Sequence, residues 1–393
     1  MGKLDKPRSL TYKNSYQFSF NFSKMKFIVF ILFPSVLVTI TFADELLKLA
    51  IVVYRHGDRS PEAIYPNDPH NKTIWVNGLG QLTNLGKNQM YDLGNYIRNR
   101  YSNFLPVHYN EKDITVVSSD VSRTLMSAYL CLAGLYKPQG RDIWSEEINW
   151  QPIPVHSIPR PQDNLVSRSR NCTKHGILLQ NYLMENSEKV ERYYNILQEV
   201  FSYAGVPPKP KNIDYKYCKK CKHVLSSSGV RDCLFVEETH NLTLPELTAK
   251  YYPEPLLEIS LFKSSSLSAT KEMCRLRSGP LLKEILTHFD GVQQGTLNKK
   301  IYQYSAHDQT IVDLLQCLGI YDGELVPYAS AVFLELYDTN NVPEVLISYK
   351  KDDVVKKLKI PGCNNTVLCR LDLFKELVRN VIPDDWEKEC ESV

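Results

Sequence analysis

Beyond residue 43, this chain of 393 residues has no apolar run long enough to cross a bilayer, no internal repeat and no surplus of either charge. A spanning helix needs about 20 apolar residues, so no membrane anchor is expected after position 43. Without a repeat, stacked solenoid folds are set aside. Charge balance emerges once the amino-terminal stretch is removed, because residues 1–43 carry six of the 47 Lys and Arg but one of the 44 Asp and Glu. The 41 basic and 43 acidic residues that remain give no electrostatic argument for nucleic acid or a membrane surface as partner.

The apolar segment Phe27-Ile28-Val29-Phe30-Ile31-Leu32-Phe33 continues through Pro34 to Phe42 and is preceded by Lys24 and Lys26. With small residues at Thr41 and Ala43, it reads as a signal peptide cut near Ala43, and it is short for a span. Met25 offers an alternative start to Met1. Secretory transit agrees with four glycosylation sequons, at Asn71, Asn171, Asn241 and Asn364. Ten cysteines in such a chain favour disulfides. Cys218-Lys219-Lys220-Cys221, with His223 and Cys233 nearby, reads as a local disulfide cluster, with zinc as the competing reading. Cys131 and Cys317 fall on apolar helix faces and read as packed thiols.

The 350 residues from position 44 onward suffice for two domains. Strand and helix patterns alternate up to residue 149 and again from 276 to 393, including the helix-spaced set Leu281, Leu282, Ile285 and Leu286. That alternation predicts a three-layer α/β/α core with a mixed central sheet. Between 150 and 275 the strand signals thin out, and a smaller, mainly helical cap is expected there. Val332 to Tyr337 and Val345 to Tyr349 read as a hairpin turning at Asn340-Asn341.

Three segments carry the chemistry. The run Leu49-Ala50-Ile51-Val52-Val53-Tyr54 predicts a buried strand that delivers Arg55-His56-Gly57-Asp58-Arg59-Ser60-Pro61 to its end, where open α/β sheets place ligands. Two guanidinium forks beside an imidazole would attract a phosphoryl group, and histidine can attack it to form a phosphohistidine. The competing reading makes His56 an ordinary half-buried imidazole, with the arginines paired to Asp58 and Glu62. Gly57 is expected where the backbone passes close to a ligand. Ile114-Thr115-Val116-Val117 leads likewise into Ser118-Ser119-Asp120-Val121-Ser122-Arg123-Thr124, with Met126, Tyr129, Leu130 and Ala133 spaced as the apolar face of a following helix. Ile301-Tyr302-Gln303-Tyr304 leads into Ser305-Ala306-His307-Asp308, ahead of a helix that stops at Gly319.

Arg55-His56-Gly57-x-Arg59-x-Pro61, Ser119-x-x-x-Arg123-Thr124 and His307-Asp308, in that order, resemble the histidine acid phosphatases of the prostatic, lysosomal and insect venom type. Trp150-Gln151-Pro152-Ile153-Pro154-Val155-His156 and Pro327-Tyr328-Ala329-Ser330 extend the likeness. The resemblance implies that His56 is the nucleophile, that Arg55, Arg59, Arg123 and His307 hold the phosphoryl oxygens, and that Asp308 is the general acid. No metal or other cofactor is then required. It implies disulfides Cys172–Cys390 and Cys363–Cys369, and a homodimer contact through Trp150 to His156, for which core packing of Trp150 is the alternative. Asp58 and Asp120 are expected to orient arginines. Gln309 stands where many relatives carry threonine, beside the proposed acid.

An ordinary aspartic acid titrates near pH 4, so activity on a small-molecule phosphate monoester is expected to decline toward neutrality. The protein is expected in a secretion or in the lysosomal lumen, as a venom, salivary or digestive component among other roles. The alternatives are a phytase, which would need a more basic cleft, and a catalytically silent secreted binding protein or allergen.

Overall fold

A computed structural model of the chain describes residues 45–206 and 228–391. The proposed leader, Pro207-Pro208-Lys209-Pro210, Cys218 and Cys221 lie outside the described residues. Residues 44–393 form one compact unit.

Strand β1 (Glu45–Arg55) runs through the middle of one mixed sheet. From Leu49 to Tyr54 its even and odd positions are both fully buried, which explains the unbroken apolar run. Leu49, Ile51 and Val53 pack on one face with Leu282, Ile285 and Ile311, while Ala50, Val52 and Tyr54 pack on the other with Met90, Leu93 and Leu132. Helices therefore cover both faces, and the expected three layers are present. Strands β2 (Ile114–Ser119), β3 (His156–Ile158) and β4 (Ile301–Ala306) join β1 in the order β3-β2-β4-β1, all parallel. On the far side, β5 (Ala331–Thr339), β6 (Val342–Lys351) and β7 (Val354–Leu358) run antiparallel, and β8 (Leu368–Arg370) pairs with β6. The β5–β6 turn falls at Asn340 and Asn341, whose φ angles of 53° and 65° match the left-handed turn that asparagine tolerates.

Helix α1 (Asn84–Arg100) is capped by Thr83, whose hydroxyl accepts from the Gly86 amide. Helix α2 (Ser122–Leu135) packs against it, but not through the expected face. Tyr129 is exposed and Met126, Leu130 and Ala133 are only half-buried, whereas Ser127, Ala128, Cys131 and Gly134 are buried. Close backbone approach is the reason. A Cβ at Gly94 would sit 2.0 Å from the Cys131 carbonyl oxygen, and one at Gly134 2.2 Å from that of Tyr91. Small residues thus define the contact, and hydrophobicity alone points to the wrong side.

The described residues between 173 and 206 and between 228 and 277 are mainly helical, and their side chains build a separate hydrophobic cluster around Tyr193, Leu197, Ile259 and Met273. Cys172–Cys390 and Cys363–Cys369 are bonded as expected. Cys317 is not a packed thiol: it forms a disulfide with Cys274, because the helices Lys271–Arg277 and Asp308–Cys317 bring their Cα atoms to 5.4 Å. Cys131 is free and buried. Cys233, expected in the local cluster, is also a free buried thiol and donates to Asp68 and Glu237. All four sequon asparagines are exposed.

Candidate active site

The parallel register brings the three sequence segments together. Arg55 pairs with Ala306 across β1 and β4, so His56 and His307 are the next residues of neighbouring strands, and the His56 amide donates to the Ala306 carbonyl at 3.1 Å. On the other side of β4, Ser118 pairs with Ser305, so β2 ends beside them. Arg123 is the second residue of α2, and Asp308 opens the helix Asp308–Cys317. Residues 56, 123 and 308 therefore share one site at the carboxyl end of the sheet. The His56 and His307 ring centroids are 5.6 Å apart.

His56 is 2% exposed, and its tautomer follows from its neighbours. Nδ1 lies 2.8 Å from the Gly57 carbonyl, which only accepts, so Nδ1 carries the proton and Nε2 keeps its lone pair. The Arg123 Nε–H donates to that Nε2 at 3.1 Å. Burial, reinforced by Arg55 and Arg123, pushes the imidazole well below its ordinary pKa. The ring consequently stays neutral, and nucleophilic, in acid that would protonate an exposed histidine. Burial and Arg123 likewise bring His307 down to about 3. Its Nε2 is 2.9 Å from the Ser119 hydroxyl, which is 2.7 Å from that of Thr124. The residues of the second motif thus hold the imidazole of the third.

Each of the three proposed phosphate arginines faces a carboxylate. Arg55 lies 3.4 Å from Asp308 and stacks 3.9 Å over the Tyr328 ring. Arg59 forms two 2.9 Å bonds to Asp232, and Arg123 donates to Glu62 at 2.7 Å. The Nε–H groups of Arg55 and Arg59 are buried without an acceptor. Guanidinium forks held in fixed positions around a neutral imidazole suit a phosphoryl group, whose oxygens accept bidentate bonds.

Partial desolvation would raise the Asp308 carboxyl, whose side chain is 52% exposed, but Arg55, the Gln309 amide and His307 outweigh it and hold the group down to about 2. The expectation of an ordinary aspartic pKa does not hold for the free site. A bound anion that offset the arginines would raise this carboxyl again.

Several sequence expectations change here. At Gly57 a Cβ would lie 2.3 Å from the Gly86 carbonyl oxygen in α1, so packing of the loop on that helix by itself requires glycine there. Asp58 is fully buried and accepts from Thr83 and, at 2.8 Å, from His240, rather than orienting an arginine. Asp120 is exposed. Gln309 turns away from the acid, donating to the Ser264 carbonyl at 2.9 Å and to Asp313 at 2.7 Å. Buried Asp313 also pairs with Arg168 and Arg277, anchoring the helix that begins at Asp308. Sequence reasoning missed Asp232, His240 and Arg168 because no local spacing links them to the motifs. Tyr328 is legible in the sequence, since Pro327-Tyr328-Ala329-Ser330 carries part of the family resemblance.

Residues 46–356 match the Histidine phosphatase superfamily (branch 2). The chain is 39% identical to prostatic acid phosphatase of Bos taurus over 350 residues, covering 88% of this chain and 87% of that protein. It is 34% identical to lysosomal acid phosphatase of Homo sapiens over 357 residues, covering 88% and 80%. Among solved structures, the phytase of Hafnia alvei in its apo form superimposes with a TM-score of 0.65 at 18% identity, covering 90% of this chain and all of that one, a likeness of fold.

Proposed function

Since this chain belongs to branch 2 of the histidine phosphatase superfamily, we propose that it is an acid phosphatase hydrolysing phosphate monoesters through a phosphohistidine on His56. The observation that carries the reading is the neutral His56 Nε2 at the centre of three arginines. Nε2 attacks phosphorus, the phosphorus–oxygen bond to the alcohol breaks, and Asp308 protonates the departing oxygen. Asp308 then takes a proton from the water that attacks the phosphohistidine, which releases inorganic phosphate and restores the imidazole. Arg55, Arg59, Arg123 and His307 hold the phosphoryl oxygens throughout. The test is steady-state turnover of an aryl phosphate and of phytate. Turnover of the aryl ester, with phytate a poor substrate, is expected, and a strong preference for phytate favours the phytase reading.

The residues 150–275 act as a cap in this proposal and residues 44–149 and 276–393 as the core. Secretion follows the signal peptide proposed for residues 1–43, and no helix among the described residues is long and apolar enough to cross a membrane. A venom role is the narrowest form of this reading. We also propose a homodimer through residues 150–156, since β3 is the edge strand of the sheet and Trp150 is only half-buried. Sedimentation at the monomer mass would overturn it.

Glu62 is a rival of substrate in this mechanism, because its carboxylate already occupies Arg123. It is 57% exposed, so the pair is screened and worth at most about 1 kcal/mol. Glu62→Gln is expected to lower KM about two- to fivefold with little change in kcat. A higher KM in steady-state assays would instead mean that Glu62 positions Arg123 productively.

A further inference from the structure

A cavity of about 400 Å³ includes Arg123 and His307 of the proposed phosphate site in its lining. Its wall also includes Arg160, Ser167 and Ser169. Of these, Arg160 has an unusual electrostatic position. Arg55, Arg59 and Arg123 each face a carboxylate, whereas no acidic side chain among the described residues pairs with Arg160, which is exposed. The one carboxylate lining the cavity, Glu62, is held on Arg123.

The backbone beneath Arg160 is fixed. Pro159 precedes a 3-10 turn at Arg160–Gln162, and the Ser169 hydroxyl donates to the Arg160 carbonyl. Buried Asp163 accepts from the amides of Leu165, Val166 and Ser167 at 2.8–2.9 Å. Arg168 turns inward onto Asp313, which pins the far end of the loop to the helix that begins at Asp308. The Ser167 and Ser169 hydroxyls are 2.8 Å apart. A cation with no acidic partner among the described residues thus stands on a well-tied loop, in the wall of the cavity that Arg123 and His307 also line.

We propose that this wall is a second anion subsite, and that the favoured substrates are phosphate monoesters whose alcohol half carries a further anionic group. The inference rests on the phosphatase reading above and adds a substrate class to it. The Arg160 guanidinium offers charge-assisted bonds to a carboxylate or a second phosphate, and no such bond forms with a neutral alcohol.

The experiment compares 3-phosphoglycerate with glycerol 1-phosphate, which share a three-carbon skeleton and differ in a carboxylate against a hydroxymethyl group. The readout is the ratio of their kcat/KM values at pH 5 and low salt, for the whole purified protein. Wild type is expected to favour the carboxylate ester. Arg160→Ala should reduce that ratio about tenfold, the size of one charge-assisted contact, and Arg160→Glu should invert it. A wild-type ratio of one or less, or a ratio unchanged in both variants, overturns the subsite. Normal turnover of glycerol 1-phosphate alongside either of those results leaves the phosphatase reading standing, whereas no turnover of either ester defeats both.

Discussion

Replacing His56 with alanine is expected to lower kcat by at least roughly three orders of magnitude, the scale seen when a covalent nucleophile is removed. The wild-type protein, quenched during turnover of a phosphorus-labelled ester, should carry phosphate that is lost in acid and kept in base, as a phosphorus–nitrogen bond requires. His56→Ala should carry none. The imidazole accepts from Arg123 and contacts the Gly57 carbonyl of its own loop, so its removal leaves the strand register intact. An unchanged thermal midpoint would show that the loss is chemical. Turnover within tenfold of wild type would overturn the covalent mechanism.

For Asp308→Asn the expected fall in kcat is about 10²- to 10⁴-fold on an alkyl phosphate, the usual contribution of a general acid. It should be much smaller on an aryl phosphate, whose phenolate leaves without a proton. The pH dependence separates this role from simple disruption. In the free site the cations hold Asp308 down to about 2, so at pH 5 the carboxyl is almost wholly ionised. A bound phosphate supplies the negative charge that the carboxylate otherwise gives Arg55, which raises the carboxyl and lets it hold a proton. Because the protonated form is required, kcat should fall as pH rises through the bound-state pKa, with an apparent value well above 2. The low pKa of His56 keeps the nucleophile unprotonated across the same acid range. Asp308→Asn should abolish the decline toward neutrality and should bind inorganic phosphate more tightly, since Arg55 loses its internal partner. A variant with the wild-type pH profile would remove Asp308 from the proton transfer.

Both predictions concern residues that were visible in the sequence, and the reason is local. A strand that buries both faces favours an unbroken apolar run, so Leu49 to Tyr54 announces itself and places His56 at its end. The runs before Ser119 and His307 are mixed, with Thr115 and Val117 half-buried and Gln303 and Ser305 buried, yet their β-branched and aromatic residues still mark strands. The asparagine turn of β5–β6 follows from a conformation few residues adopt. Where two backbones touch, the argument fails. The α1–α2 contact is made by glycine and small residues, and the apolar spacing of α2 points to its half-exposed side. Cys317 looks the same on a helix face whether it is a packed thiol or half of a disulfide, until Cys274 is brought beside it.

By itself, the order of residues determined the strand ends and the set of His56, three arginines, His307 and Asp308 that they carry, because backbone preference and side-chain chemistry are set within a few positions. Tertiary structure alone decided the charge state of that set. Asp232 reaches Arg59 across 173 residues, His240 reaches Asp58 across 182, and Arg168 reaches Asp313 across 145. Coulomb energy depends on distance in space and on exclusion of water, and neither quantity is written in the spacing of a motif.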